Sequence, residues 1–241
     1  MIEAWRKGFQ KPDAYFGYIV LSTWCPANAL LIPGMRNAQM AAQKLPKVGY
    51  ATNADHGAGC NIHPPPKQYC GKRLANSALA LQYNKTIAWK SPTFKSQVAT
   101  GASVTVALND VSMGGLSDDT YPFNYLDGLT NCSALNAKTP GTCAWASLKL
   151  GNEWVNATIT VKGAKVILTA VARSLDGATT ATPTASAYAW GSVPLMNLCE
   201  CDYRALFHST CAPSANAIYY WLPRADDKET GLPVLGWNKT I

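Results

Sequence analysis

The stretch VGYATNADHGAGCNIHPPPKQYCGKRLANSALALQY, residues 48–83, decides the predicted fold of the first part of the chain. It begins with a short apolar strand, Val48–Thr52, and continues through a Gly- and Asn-rich loop, Asn53–Asn61. Three prolines follow, which are typical of the start of a helix. We predict that helix over Lys67–Tyr83, because apolar residues recur there every three or four positions.

Three earlier segments extend this pattern towards the N-terminus. The segment Ile2–Gly8 is predicted to be the end of a helix, Phe16–Leu21 is an apolar strand, and the apolar spacing predicts a helix over Gly34–Leu45. The order strand, helix, strand, loop and helix is typical of an α/β domain. We therefore predict that residues 1–92 form the C-terminal portion of a parallel-sheet α/β domain.

The amino-acid composition and pattern of the sequence change at Lys90-Ser91-Pro92. The later segments Ser103–Leu108, Glu153–Val161 and Lys165–Val171 are rich in Val, Ile and Thr and are bounded by Gly, Asn or Asp. Such segments are typical of antiparallel strands. We predict that residues 93–241 form an all-β, sandwich-like C-terminal domain, with a small barrel as the alternative.

Composition excludes several classes of protein. The chain has 241 residues, of which 48% are hydrophobic and 15% are charged, so it is neither disordered nor a coiled coil. No apolar run approaches the roughly 18 residues that span a membrane. The net charge of +7 is spread along the chain without a basic run, so we predict no nucleic-acid partner and regard an acidic small substrate as equally compatible.

Cysteines and glycosylation sequons favour an oxidising compartment. The chain has eight cysteines. Four Asn-x-Ser/Thr sequons make candidate glycosylation sites at Asn84, Asn131, Asn156 and Asn238. We therefore predict a secreted or lysosomal protein with disulfides, whose pairing the sequence leaves open. Because the first ten residues lack the features of a signal peptide, we expect the natural protein to begin upstream of this sequence.

Metal binding is an alternative use of the cysteines. Two loose sets of ligand types occur, one formed by His56, Cys60, His63 and Cys70 and the other by Cys199, Cys201, His208 and Cys211. Neither set has the paired Cys-x2-Cys spacing that indicates zinc. The sequence favours disulfides or buried thiols, and we predict no metal and no cofactor.

The loop that follows Val48–Thr52 is the best candidate for a chemical site. It contains Asp55, His56 and His63, and it lies after the carboxyl end of a strand and before a helix, where α/β proteins place their sites. Histidine titrates near neutrality, so a histidine in this loop can act as a general base. A capping or solvent-exposed histidine is the alternative.

Motifs in this loop and elsewhere resemble those of a known family. The segment Asn61–Ala75 resembles the NIHPxxKQxxGxRLA block of the sialate O-acetylesterases, which belong to the SGNH/GDSL-like hydrolases. Met1–Arg6 resembles their MIxxWR helix and Met35–Gln39 their LRxAQ motif. Tyr188–Pro194 resembles their RYAWxxxP motif and Gly231–Trp237 their closing GLPxxPF motif. The resemblance covers nearly the whole chain in the family's order.

The resemblance implies an SGNH-type parallel sheet and a serine esterase that removes acetyl groups from the hydroxyls of sialic acids. In that chemistry a serine attacks the acetyl carbonyl, and a histidine takes the serine proton and passes it to the leaving sugar hydroxyl. The matched histidine is His63. The group that orients it is open between Asp55, Asn61 and a backbone carbonyl.

The family's GQSN-type nucleophile block and GESN-type oxyanion block do not occur in this chain. We expect the nucleophile upstream, in a segment or partner subunit that supplies the serine, and the isolated chain to be inactive. An alternative is a non-catalytic carbohydrate-binding or interaction remnant, with Trp154, Trp190 or Trp221 as stacking platforms.

Overall fold

A computed structural model describes residues 1–24, 28, 30–54, 62–64, 67–111, 116–117, 146–170, 181–191, 219–220 and 232–241. The helical elements are α1 (Ile2–Gly8), α2 (Leu31–Gln39), a 3-10 turn (Met40–Lys44) and α3 (Gln68–Leu81). The strands are β1 (Phe16–Val20), β2 (Val48–Thr52), β3 (Thr93–Thr100), β4 (Ser103–Asn109), β5 (Leu116–Ser117), β6 (Ala146–Leu150), β7 (Glu153–Lys162), β8 (Lys165–Ala170), β9 (Ala185–Tyr188), β10 (Tyr219–Tyr220), β11 (Leu232–Pro233) and β12 (Trp237–Thr240).

Strands β1 and β2 form a parallel pair with a helical element on each face. Gly17 and Gly49 lie opposite each other in this pair, and α3 packs on the face that they leave open. A Cβ atom at Gly49 would lie 2.8 Å from the Cβ of Ser77 in α3, so only glycine permits this approach. Tyr18 and Tyr50 lie on the other face, because successive side chains along a strand alternate. There the 3-10 turn contacts Tyr18 through a hydrogen bond from Gln43.

The largest element of the fold is an antiparallel sheet of seven strands, in the order β12-β9-β6-β7-β8-β4-β3. Its inner face carries the described core, and on β4 buried and half-buried residues alternate as expected for a strand with one face in the core. The sheet curls until its two edge strands meet. Gln97 of β3 donates a hydrogen bond to the carbonyl of Lys239 in β12, at 3.0 Å. The sheet is therefore nearly closed, like a barrel.

The predicted fold class is wrong, although the strands and helices predicted within the described residues are present. The described chain is mostly antiparallel sheet with few helices, and β1 with β2 is its only parallel pair within those residues. One strand-helix-strand unit predicts a parallel pair, but it does not reveal whether further parallel strands join. The predicted sandwich is also wrong, and the sheet is closer to the small barrel that was its alternative, because a strand with one buried face suits a sandwich or a curled sheet equally well.

Two further predictions concern organisation. The division into residues 1–92 and 93–241 as separate domains stays a prediction. Within the described residues, none of the helices combines the length and the hydropathy that a membrane crossing requires.

Candidate functional site

The carboxyl ends of β1 and β2 lie at one edge of the parallel pair, and the chain that follows them is buried. Val20 pairs with Thr52 at this edge. Beyond it, Thr23 and Asn53 are almost completely inaccessible, with exposed fractions of 0% and 2%. Parallel strands bring the segments after their carboxyl ends together, which is where ligands bind in open α/β sheets. This edge is therefore the candidate site that the fold provides.

Arg36 holds the segment that follows β1. Its Nε donates to the carbonyl of Leu21 at 2.8 Å, and its Nη2 donates to the carbonyl of Ser22 at 2.7 Å. Burial lowers the pKa of Arg36 to about 10, so the guanidinium remains charged at neutral pH. Gln39, one turn further along α2, accepts a hydrogen bond from the Leu21 N–H and donates one to the carbonyl of Ile19. Two residues of the Met35–Gln39 motif thus fix one strand end.

The other two arginine-bearing motifs act in the same way. Arg73 of α3 is buried and donates to the carbonyl of Thr52 at 2.8 Å, which ties the first turns of α3 to the end of β2. Arg6 of α1 lies at the opposite ends of the strands, where it donates to the carbonyls of Ala14 and Pro46. Charged donors make strong hydrogen bonds to backbone carbonyls. Both strands are therefore held near their ends.

Two buried polar atoms at the candidate site have no hydrogen-bond partner among the described residues. They are Oγ1 of Thr23, after β1, and Oδ1 of Asn53, after β2. Most buried polar atoms in proteins are hydrogen-bonded, and leaving one unpaired costs about 1–3 kcal/mol. This edge can therefore hydrogen-bond a further polar group, since the amide oxygen accepts and the hydroxyl can accept or donate.

His63 has an exposed side chain in the loop between β2 and α3. The next residue, Pro64, is buried, and α3 begins four residues later, at Gln68. Arg73 ties the first turns of α3, which begins five residues after His63, to the end of β2. The imidazole is thus open to a substrate, while its role as general base stays a prediction. Asp55 and Asn61, the two side chains predicted to orient it, lie outside the described residues.

The predicted glycosylation sites and the two candidate sets of metal ligands lie partly within and partly outside the described residues. Among the sequons, Asn84 and Asn156 are exposed, Asn238 is half-buried, and Asn131 lies outside the described residues; glycosylation itself stays a prediction. His56 and Cys60 lie outside the described residues, as does the whole set from Cys199 to Cys211. Within the ranges that the structure covers, no group of three or more His, Cys, Asp and Glu side chains could hold a metal ion.

Sequence reasoning missed a cavity of about 570 Å³ between α2 and the curled antiparallel sheet, which also reaches Val20, Thr52 and Ala54 at the carboxyl edge of β1 and β2. Arg36, Asn37 and Gln43 line it on the helical side, and Trp190 and Trp237 line it on the sheet side. The motifs Met35–Gln39, Tyr188–Pro194 and Gly231–Trp237 all contribute to its wall. Their presence in one sequence was the available indication, but it could not show that they meet. Of the other two tryptophans predicted as possible stacking platforms, Trp154 is half-buried and does not line the cavity, and Trp221 lies outside the described residues.

Comparisons with known proteins show similarity at the level of the fold. No protein-family profile matches the sequence, and no similar sequence was found among curated proteins. A carbohydrate acetylesterase from Xanthomonas citri has a similar solved structure, with a TM-score of 0.66 and 19% sequence identity. The match covers 99% of this chain and 44% of that chain, so this chain spans less than half the length of that protein. The fold is therefore like that of a carbohydrate esterase.

Proposed function

We propose that this chain forms the histidine-bearing part of a carbohydrate ester hydrolase, which removes acetyl groups from sugar hydroxyls. The motif resemblance favours O-acetylated sialic acids as substrates. The observation that carries the proposal is the exposed side chain of His63 between β2 and α3, whose Arg73 is hydrogen-bonded to the end of β2. The similar fold of a carbohydrate acetylesterase supports it.

In the proposed reaction, a serine hydroxyl attacks the acetyl carbonyl of the sugar ester. His63 takes the serine proton as the bond to carbon forms, and then protonates the sugar oxygen as that oxygen leaves. The acetyl group remains on the serine until water, deprotonated by the same imidazole, releases it as acetate. Asp55, Asn61 or a backbone carbonyl holds the imidazole in the tautomer that this transfer requires.

The nucleophile is the second part of the proposal. No GQSN, GDS or G-x-S-x-G motif occurs in residues 1–241. We therefore propose that the serine comes from a segment outside this sequence or from a partner subunit, and that it reaches the edge formed by Thr23 and Asn53. The unpaired oxygens there support this placement, because they can hydrogen-bond a polar group of an incoming segment or of the substrate.

The test is hydrolysis of p-nitrophenyl acetate and of O-acetylated sialic acid by the natural protein that contains this sequence, with its accompanying segments and subunits. Replacing a general base lowers kcat by roughly 10²–10⁴-fold, so we expect a loss of that size in His63→Ala. His208→Ala, the same change at a histidine outside the matched motifs, is the control and should retain activity. Hydrolysis by His63→Ala at the wild-type rate would refute the assignment. Activity on the first ester but not the second would refute the sialic acid specificity alone.

A further inference from the structure

Strand β1 has one side on which the structure shows no neighbouring strand. The N–H of Phe16 donates to the carbonyl of Lys47, directly before β2, at 3.0 Å. Backbone groups along a strand point alternately to its two sides, so every second residue from Phe16 faces β2. The residues between them direct their N–H and C=O groups to the other side, here called the open side of β1, and they are Gly17, Ile19 and Leu21. Within the described residues the sheet ends there, because β1 and β2 form a pair.

Side chains of α2 occupy one end of the open side. The amide of Gln39 accepts a hydrogen bond from the N–H of Leu21 at 2.9 Å and donates one to the carbonyl of Ile19 at 3.1 Å. These are the two bonds that one residue of a neighbouring parallel strand would make. The carbonyl of Leu21 accepts from Arg36. Both backbone groups of Gly17 and the N–H of Ile19 have no hydrogen-bond partner among the described residues.

The open side of β1 lacks the features that prevent a further strand from pairing. Proteins protect such strands with charged side chains, prolines, bulges or a covering segment. The sequence of β1 is FGYIV, without a charge or a proline, and its register with β2 is regular. Ile19 in β1 is 37% exposed, whereas every residue of β2 is buried.

Exposed apolar side chains flank the open side at both ends. At the start of β1, the exposed ring of Trp5 lies 5.7 Å from the ring of Phe16. At the other end, Leu31 and Met35 of α2 are exposed, and they are four positions apart, so they lie on one side of the helix. Gln39, four positions further on, continues this row to β1. Exposed apolar side chains grouped in this way indicate an interaction surface.

An extended apolar strand matches this surface in both of its properties. Its backbone pairs with the N–H and C=O groups on the open side, and its side chains cover the apolar residues around them. Such a strand also lies near the candidate site. Ile19 precedes Thr23 by four residues, which span about 13 Å, so a strand paired with Ile19 passes within about 15 Å of the unpaired hydroxyl of Thr23.

We propose that the polypeptide that supplies the serine adds a strand to the open side of β1, where it pairs with Gly17 and Ile19 and covers Trp5, Leu31 and Met35. The identity of this partner rests on the proposed function, in which the serine comes from outside this sequence. The acetylesterase of similar fold has further chain beyond the part that this sequence matches, which supports such a partner. Strand addition would hold the serine-bearing polypeptide beside the carboxyl edge of β1 and β2.

The test is hydrogen exchange at single-amide resolution in the natural protein that contains this sequence, with its accompanying segments and subunits. After correction for intrinsic rates, the amides of Gly17 and Ile19 should exchange at least about 100-fold more slowly than that of Glu3, which lies in the first turn of α1 and has no helical acceptor. The amide of Val20, which faces β2, is the protected reference. Equal exchange at Gly17, Ile19 and Glu3 would overturn the proposal.

Two exposed apolar positions provide a matched pair of variants. Ile19→Lys places a charge where the added strand would pair, so the amide of Gly17 should exchange at least about tenfold faster. Val98→Lys, the same kind of change at an exposed position of β3, should leave that exchange rate unchanged. Continued protection of the Val20 amide shows that each variant is folded. An unchanged rate for Gly17 in a folded Ile19→Lys protein would contradict the proposal.

The same measurements separate strand addition from the esterase activity. His63→Ala should lose hydrolysis but keep the protection of Gly17. Protected amides in a protein that hydrolyses neither ester would refute the esterase and support strand addition alone, whereas hydrolysis with unprotected amides would overturn strand addition alone. Protection that disappears on dilution while the molecular mass halves would assign the open side to a second copy of this chain and overturn the proposal.

Discussion

Replacing Arg36 by methionine tests whether one buried cation holds the candidate site and the cavity together. Methionine keeps much of the apolar volume of the side chain but removes its donors. Arg36 donates to the carbonyls of Leu21, Ser22 and Gly191 at 2.7–2.9 Å, and thereby joins the end of β1 to the segment after β9. The variant leaves these three acceptors without that partner.

The expected magnitude follows from two opposing contributions. Three hydrogen bonds from a charged donor are worth about 6 kcal/mol in total. Burial of the guanidinium, which lowers its pKa to about 10, offsets roughly half of that gain, because a desolvated cation is costly and methionine removes the cost. We therefore expect Arg36→Met to lower the free energy of unfolding by about 3 kcal/mol.

Urea unfolding, followed by tryptophan fluorescence, measures this loss. With a urea dependence of about 1–3 kcal/mol per molar for a small protein, the unfolding midpoint should fall by at least about 1 M. Lys85→Met, the same change at an exposed lysine, is the control and should alter stability by less than about 0.5 kcal/mol. A loss below about 1 kcal/mol in Arg36→Met would contradict the argument, because a single ordinary hydrogen bond is worth that much.

Two other predictions concern the packing and ionisation of the parallel pair. Gly49→Ala should destabilise the protein by about 1–3 kcal/mol, because its Cβ would lie 2.8 Å from that of Ser77; Gly71→Ala in α3 meets nothing within 4 Å and should stabilise it by about 0.5–1 kcal/mol. Thermal unfolding of the two variants should therefore shift in opposite directions, and equal shifts would be inconsistent with this packing. Burial raises the pKa of Tyr50 above its ordinary value of 10.0, so this phenol contributes stability that is present below pH 10 and is lost as pH rises further. Tyr50→Phe should be less stable than the wild type at pH 8, because Ser91 loses both hydrogen bonds to the phenol. Above pH 10, the free energy of unfolding of the variant should fall less steeply than that of the wild type, by up to about 1.4 kcal/mol per pH unit. Parallel urea midpoints for both proteins from pH 8 to 11 would refute this role of Tyr50.

The local elements could be predicted because their causes are local. The strand Val48–Thr52 was predicted with its observed ends, and the helix predicted over Lys67–Tyr83 is observed at Gln68–Leu81. The periodicity of apolar residues and the prolines before α3 act within one or two turns of chain. The helix predicted over Gly34–Leu45 is instead α2 followed by a 3-10 turn, a boundary that propensity alone leaves open.

The candidate site was predictable in one respect only. The position of His63 in a loop after a strand follows from the order of elements, and its exposed side chain agrees with that position. The burial of Thr23 and Asn53 does not follow, because their unpaired oxygens depend on which segments cover the strand ends. Short-range patterns carry no information about such covering segments.

Local patterns in the sequence predicted both the helices and the strands of the first 92 residues and three of the later strands, and placed His63 in the loop between β2 and α3. Tertiary packing is what curls seven of the described strands beyond residue 92 into a nearly closed antiparallel sheet, and what opens a cavity between that sheet, α2 and the ends of β1 and β2. The contacts responsible join residues far apart, such as Gln97 with Lys239 and Arg36 with Gly191, which are 142 and 155 positions apart. Contacts at such separations depend on how complete elements pack, and periodicity within a single element does not encode them.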